Sequence, residues 1–158
     1  MVKSCIEIMS KLYFFMNIQV EKRLSPKEVL DLLANFDDSS DKPLHEQVNL
    51  KEYSEKLSSY AFFILAYEDS VLKGFIAYYL NDKNKFVYIT QIVVHQSARH
   101  KGLGHTMMTA LVENTNDFYE CIRLEVLTQN SNAKKFYIRE GFYKIEDRDS
   151  RILLQKDL

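Results

Sequence analysis

Apolar residues change their spacing several times along this chain, and each change marks an element. Ile18 and Val20 alternate with polar neighbours, which predicts a strand over 18–22. Ser25-Pro26-Lys27-Glu28 is a capping box with proline at the first helical position, and it predicts a helix from 26 to about 34. Residues 35–49 have no period and carry a cluster of acids, serines and Pro43, so they predict a loop long enough to line a site. A short amphipathic helix follows over 50–57. Two strands, 60–67 and 71–80, are joined by the tight turn Glu68-Asp69-Ser70, and Asn81-Asp82-Lys83-Asn84 leads into a third at 86–94. Met107, Met108, Leu111 and Val112 then recur at helical spacing, predicting a helix over 103–113. A strand at 122–127, a helix at 133–140, and strands near 142–146 and 151–156 complete the chain. Successive strands with short turns are antiparallel, whereas 86–94 and 122–127, separated by a helix, require a parallel crossover. The expected class is α/β: a mixed, mostly antiparallel sheet with flanking helices, without repeats or linkers.

The junction after residue 94 is the most informative segment. The β-branched run Ile92-Val93-Val94 stops, the turn Arg99-His100-Lys101-Gly102 follows, and the helix opens at Leu103-Gly104-His105. A strand that enters a helix through such a turn leaves several main-chain N–H groups unpaired and aimed at one point, with the helix dipole behind them. Arg99, His100 and Lys101 add positive charge there. Two readings fit the turn: a cradle for a diphosphate, or a bend whose glycines only reverse the chain. It is not the dinucleotide fingerprint, because Met107 stands where a third glycine is needed, and no Gly-Lys-Ser/Thr marks a Walker loop.

At 158 residues the chain has the length of one domain over 1–158, enough to bury about 70% of its unfolded surface. Met16 precedes a good strand start, so residues 1–15 read as an N-terminal extension. Hydrophobic content of 46% and aromatic content of 13% argue for a packed core rather than disorder. The net charge of −1 supplies no general attraction to nucleic acid or to an anionic membrane, so any anion must be caught by a local patch. Cys5 and Cys121 make neither a disulfide framework nor a metal-ligand spacing; Cys121 reads as a buried thiol, and no metal is expected. No run approaches the ~20 apolar residues of a membrane span, and no secretory leader is visible, so the expected location is the cytoplasm.

A second constellation lies downstream. Asn130 or Asn132 can cap the helix over 133–140, Ala133, Phe136 and Tyr137 share its face, and Gly141 ends it. By itself this is an ordinary helix. In this order and spacing, however, Arg99-x-x-Gly102-x-Gly104 and Asn130-x-x-Ala133-x-x-Phe136-Tyr137-x-x-x-Gly141-Phe142 resemble the two signatures of the GNAT superfamily of N-acetyltransferases. The resemblance covers about residue 18 to the C-terminus in element order. One departure is Phe136, aromatic where the pattern expects an aliphatic residue.

The resemblance implies a fourth and a fifth strand, 86–94 and 122–127, that splay apart to admit the pantetheine arm of acetyl-CoA. It implies that the main chain of Ile92, Val93 and Val94 pairs with pantetheine amides. Arg99 belongs to the cofactor signature, and the amides of His100, Lys101, Gly102, Leu103, Gly104 and His105 would hold the pyrophosphate of coenzyme A. Asn130 corresponds to the asparagine that contacts the cofactor, and Tyr137 to the acid that protonates the leaving thiolate. The implied reaction is direct attack of a primary amine on the thioester through a tetrahedral intermediate. Such an amine, with a pKa of about 10, must lose a proton before attacking. Many members carry a strand-four glutamate for this step, but Ile89-Thr90-Gln91-Ile92 holds no ionisable group. Glu125 matches the glutamate assigned as base in the branch that acetylates ribosomal-protein N-termini; it also reads as an ion-paired strand carboxylate. Thr90 or Gln91 holding a water chain, and His95, are further candidates.

The acceptor side is expected from the loop 35–49, the helix after it and the turn 146–151. Asp37, Asp38, Asp41 and Glu46 suit a cationic amine, although acids in a loop also read as solvated surface; Tyr53, Tyr88 and His45 offer stacking. The acceptor is left among a peptide N-terminus, an amino sugar and a small amine, and the oligomeric state is open, a homodimer included. The alternative function on the same fold is a non-catalytic acyl-CoA sensor or partner-binding module.

Overall fold

A computed structural model describes residues 16–39 and 42–158; the N-terminal extension over 1–15 and the acid Asp41 lie outside the described residues. Eleven main elements follow in the chain: β1 (Met16–Lys22), α1 (Pro26–Asn35), α2 (Leu50–Tyr60), β2 (Phe62–Glu68), β3 (Val71–Asn81), β4 (Phe86–Val94), α3 (Leu103–Thr115), β5 (Cys121–Leu127), α4 (Ser131–Arg139), β6 (Tyr143–Arg148) and β7 (Arg151–Asp157). The strands form one seven-stranded sheet in the order β1-β2-β3-β4-β5-β7-β6. Every neighbouring pair is antiparallel except β4 and β5, which are parallel as the intervening helix requires. This is the mixed sheet expected from the apolar pattern.

Local chemistry sets the boundaries. The Ser25 hydroxyl accepts from the Glu28 N–H while the Glu28 carboxylate accepts from the Ser25 N–H at 2.8 Å, so both halves of the capping box are made. Asn130 rather than Asn132 caps α4, accepting from the Ala133 N–H at 3.0 Å. Gly141 adopts φ +89°, which lets the Phe142 N–H reach the Tyr137 carbonyl at 2.9 Å and closes α4 in a Schellman turn. α2 runs three residues beyond its expected end, to Tyr60, because Ser58 and Ser59 spend their hydroxyls on the carbonyls of Leu24 and Glu55. The described parts of the loop, 35–39 and 42–49, are more regular than the sequence suggests. They hold two 3-10 turns, Asp37–Ser39 and Leu44–Glu46, tied together by Asp37, which accepts from the main chain and ring of His45.

Alternation along the strands builds two apolar layers. Ile76, Val87, Ile89, Ile122, Leu124 and Val126 face α3 and α4, meeting Met107, Met108, Leu111 and Tyr137. Phe63, Leu65, Phe75 and Ala77 face α1 and α2, meeting Val29, Leu33 and Leu57. Burying each such side chain contributes about 1.5–3 kcal/mol, so β3 and β4 are clamped from both sides. On β5 the alternate residues Arg123 and Glu125 are only partly buried and face away from α3 and α4, so this half of the opposite surface is polar.

Gly74 is where these layers leave least room. It pairs with Val94, and a Cβ there would sit 2.9 Å from the Val93 carbonyl oxygen and 3.1 Å from Met107 Cε. Replacing Gly74 by Ala is therefore expected to destabilise the fold by about 1–3 kcal/mol, read as a shift in the urea midpoint at constant m-value. An unchanged midpoint would show that β4 and α3 are not packed this closely.

Candidate active site

Pairing between the parallel strands ends early. The last matched residues are Ile89 and Leu124, after which β4 continues to Val94 and β5 to Leu127 without contact in register. Both strands remain held on their outer edges, β4 by β3 as far as Val94 and β5 by β7 as far as Leu127. The register of β3 against β4 slips at the same level: Tyr78 faces Ile89 and Ala77 faces Gln91, so Thr90 is the bulged residue. A bulge bends and further twists its strand, which directs the end of β4 away from β5. The result is a wedge-shaped gap with the inner main-chain edge of Ile92, Val93 and Val94 along one wall.

The gap opens on the turn before α3. His95 caps a short 3-10 turn through Ser97, and Arg99, His100, Lys101 and Gly102 follow. His100 takes φ +60° and Gly102 φ +82°, left-handed conformations that turn successive N–H groups to one side. Among the described residues, the main-chain N–H groups of His100, Lys101, Gly102, Leu103, Gly104 and His105 have no hydrogen-bond partner; the first N–H used in α3 is that of Thr106, bonded to the Gly102 carbonyl at 3.0 Å. A Cβ at Gly102 would meet open space, so the turn is open to solvent at that point. Six free donors at the positive end of a thirteen-residue helix are the chemistry that an anion would need here.

The basic side chains divide into two groups. His100 and Lys101 are exposed beside these donors. Arg99 turns back on the main chain, donating from Nε to the Val94 carbonyl at 3.2 Å and from its terminal nitrogen to the Ser39 carbonyl. It thereby ties the end of β4 to the ordered loop after α1. His105 lies 3.0 Å from both carboxylate oxygens of Glu140 at the end of α4.

α4 packs across the far side of the turn. A Cβ at Gly104 would lie 3.2 Å from Phe136 Cε2 and Cζ, so this glycine is what allows the Phe136 ring to rest on α3. Tyr137 is 7% exposed, its ring edge-on to Phe136 at 5.3 Å and to Phe142 at 5.6 Å. Its hydroxyl makes no hydrogen bond among the described residues, and it is not one of the fully enclosed unpaired atoms, such as Tyr79 Oη. Burial pushes the Tyr137 phenol well above its ordinary pKa, so it stays protonated at neutral pH.

The opposite wall is polar. Glu125, the first β5 residue beyond the last β4 pair, accepts from Arg148 at 2.6 Å, and Arg148 also donates to Glu146 at 2.8 Å. Tyr53 of α2 is 3.0 Å from the Thr90 hydroxyl at the bulge, and Gln91 donates to the Tyr53 oxygen at 3.4 Å. Thr90 and Gln91 are thus bound to a phenol. Tyr79 and Tyr88 face each other across β3 and β4; burial raises both phenols, that of Tyr79 to about 12. Sequence reasoning missed Tyr79 and Arg148 as individuals. The cross-strand register would have paired Tyr79 with Tyr88, but nothing local announces that Arg148 reaches Glu125 from β6.

Among the described residues no His, Cys, Asp or Glu cluster is arranged to hold a metal, and no helix is long and apolar enough to cross a membrane. Cys121 is buried.

Comparison with known proteins agrees with this geometry. The spermine/spermidine N(1)-acetyltransferase of Bacillus subtilis strain 168 is 31% identical over 84 residues, 48% of this chain and 55% of the relative. The chain thus matches about half the length of that curated relative. The PaiA N-acetyltransferase of Thermoplasma acidophilum, solved in complex with coenzyme A, superposes with a TM-score of 0.73 at 21% identity, covering 90% of this chain and 99% of that one. The ribosomal-protein-S18-alanine N-acetyltransferase of Escherichia coli gives 0.72 at 14% identity over 90% and 93%. These distant structures establish a common fold. The family model for the acetyltransferase (GNAT) family matches residues 27–142, and the chain belongs to that family.

Proposed function

We propose that this protein is an acetyl-CoA-dependent N-acetyltransferase whose acceptor is a small primary amine. The observation that carries the proposal is the set of six unpaired N–H groups from His100 to His105, placed where the inner edge of β4 becomes free. The open space at Gly102 and the exposed His100 and Lys101 leave room and charge for a diphosphate. Bound acetyl-CoA would supply an activated thioester carbonyl. The N–H groups and Lys101 hold its anionic end, the β4 edge at Ile92, Val93 and Val94 pairs with its amides, and Asn130 stands at the head of α4 beside it.

Tyr137 then donates its phenol proton to the departing sulfur. Burial keeps that proton in place until the thiolate forms beside it. Glu125 takes the proton that the amine must lose, directly or through water. A main-chain N–H at the diverging end of β4 serves the developing negative charge on oxygen. Glu125 on the acceptor wall can meet an ammonium group, and the polyamine acetyltransferase relative supports a small amine as the acceptor.

The test is thiol release from acetyl-CoA by the full chain against a panel of spermidine, a glucosamine and an alanine-terminated peptide. Release above the amine-free rate with spermidine, and less with the other two, is the expected result. Acetyl-CoA binding without release for any amine would leave a non-catalytic acyl-CoA sensor.

A further inference from the structure

Glu125 reaches the gap already occupied. Its partner comes from the far edge of the sheet: Arg148 closes β6, and the exposed turn Asp149–Ser150 carries the chain straight back into β7. The guanidinium contacts Glu125 at 2.6 Å and Glu146 at 2.8 Å. The two carboxylates are unlike. The Glu125 side chain is 23% exposed and Arg148 is its ion-pair partner among the described residues, whereas Glu146 is 51% exposed on the same strand as Arg148. Arg148 itself is 42% exposed and belongs to a strand with no buried residue.

We propose that Arg148 determines acceptor specificity by holding Glu125 as a built-in stand-in for the substrate's ammonium group, which a cationic acceptor displaces.

The exchange is cheap for a physical reason. When an ammonium group takes Glu125, Arg148 keeps its second partner, Glu146, and its exposed side chain swings toward solvent. One ion pair is replaced by another, and no buried charge is stranded at any point. Glu146 is also the stronger of the two influences holding the proton on Arg148, and the guanidinium in turn keeps the Glu146 carboxyl below its ordinary pKa. A neutral acceptor has nothing to offer Glu125 and cannot displace Arg148. An anionic acceptor meets the carboxylate pair. The other groups near this wall, the cationic Arg151 and the neutral Tyr88 phenol, make no ion pair with Glu125. The device therefore selects a cation and leaves Glu125 covered until one arrives. The inference rests on the assignment of Glu125 to the acceptor wall in the proposed function.

Equilibrium binding tests it without turnover. Spermidine is titrated calorimetrically into the full chain saturated with coenzyme A. Arg148→Gln is expected to bind spermidine about two- to fivefold tighter than the wild type, the worth of one partly exposed ion pair. Arg148→Lys should restore wild-type affinity, and in a Glu125→Gln background the Arg148→Gln gain should vanish. Lys144→Gln removes the same charge from β6, where Lys144 pairs with Asp147, and should change nothing. Equal or weaker binding by Arg148→Gln overturns the proposal. So does an equal gain with Lys144→Gln, persistence of the gain without Glu125, or no spermidine binding by any variant. Absence of thiol release with every amine would instead strike the enzymatic assignment and leave the binding cycle readable.

Discussion

Tyr137→Phe is expected to lower kcat by roughly 10- to 1000-fold, the usual cost of one missing proton donor, while leaving acetyl-CoA affinity within twofold. The same change should leave the melting temperature unchanged or slightly higher. The ring is buried between Phe136 and Phe142, and Phe conserves those contacts. The hydroxyl it removes has no hydrogen-bond partner among the described residues, so no partner is orphaned. A structural tyrosine would behave differently, losing stability and activity together. Steady-state kinetics beside thermal melting separates the two, because activity and stability move in opposite directions or not together. Full activity in the variant would remove Tyr137 from the reaction.

The raised pKa keeps the phenol protonated at rest but also makes it a weaker acid than a free phenol, so the proposed transfer needs the thiolate to form directly beside it. A group held protonated by burial gives up its proton only to a base formed in the same dry space.

What the sequence made legible depended on how local the cause was. The capping box at Ser25 and the αL ending at Gly141 are read from a few adjacent residues, and they stand where expected. The turn 95–102 was equally legible, since its main-chain donors depend only on a strand meeting a helix. Non-local features were not. Arg99 was expected beside the phosphate, yet its guanidinium bridges the Val94 and Ser39 carbonyls and ties β4 to the loop after α1, a link across sixty residues. The two 3-10 turns at Asp37–Ser39 and Leu44–Glu46 are tied together by Asp37 capturing His45, a pairing that propensity does not encode. The bulge at Thr90 has no glycine or proline to mark it, although it decides where the gap opens. For Glu125 the sequence left base and ion-paired carboxylate side by side. The contact with Arg148 shows that the pairing exists, and a displaceable partner makes the two roles compatible.

Gly104→Val should weaken acetyl-CoA binding by about 10- to 100-fold, the cost of losing one hydrogen bond to a charged group. The reason lies on both sides of this residue. Its N–H is one of the six unpaired donors, at the second position of α3. Its missing side chain is what lets Phe136 approach, since even a single Cβ would lie 3.2 Å from two ring carbons. Valine adds two further methyl groups at that point. Either the ring shifts or the helix start does, and both move these donors. The ring also lies edge-on to Tyr137 at 5.3 Å, so its displacement carries toward the proposed acid and should lower kcat as well. The destabilisation expected from overpacking is about 1–3 kcal/mol, small enough to leave most of the chain folded at room temperature. Calorimetric titration with acetyl-CoA on protein shown to be folded by circular dichroism measures the first effect. Gly102→Ala is the contrast: its Cβ would meet nothing, so any loss there reflects the φ of +82° and not a blocked site. If the valine variant bound acetyl-CoA as tightly as the wild type, the diphosphate would have to lie elsewhere than on the start of α3.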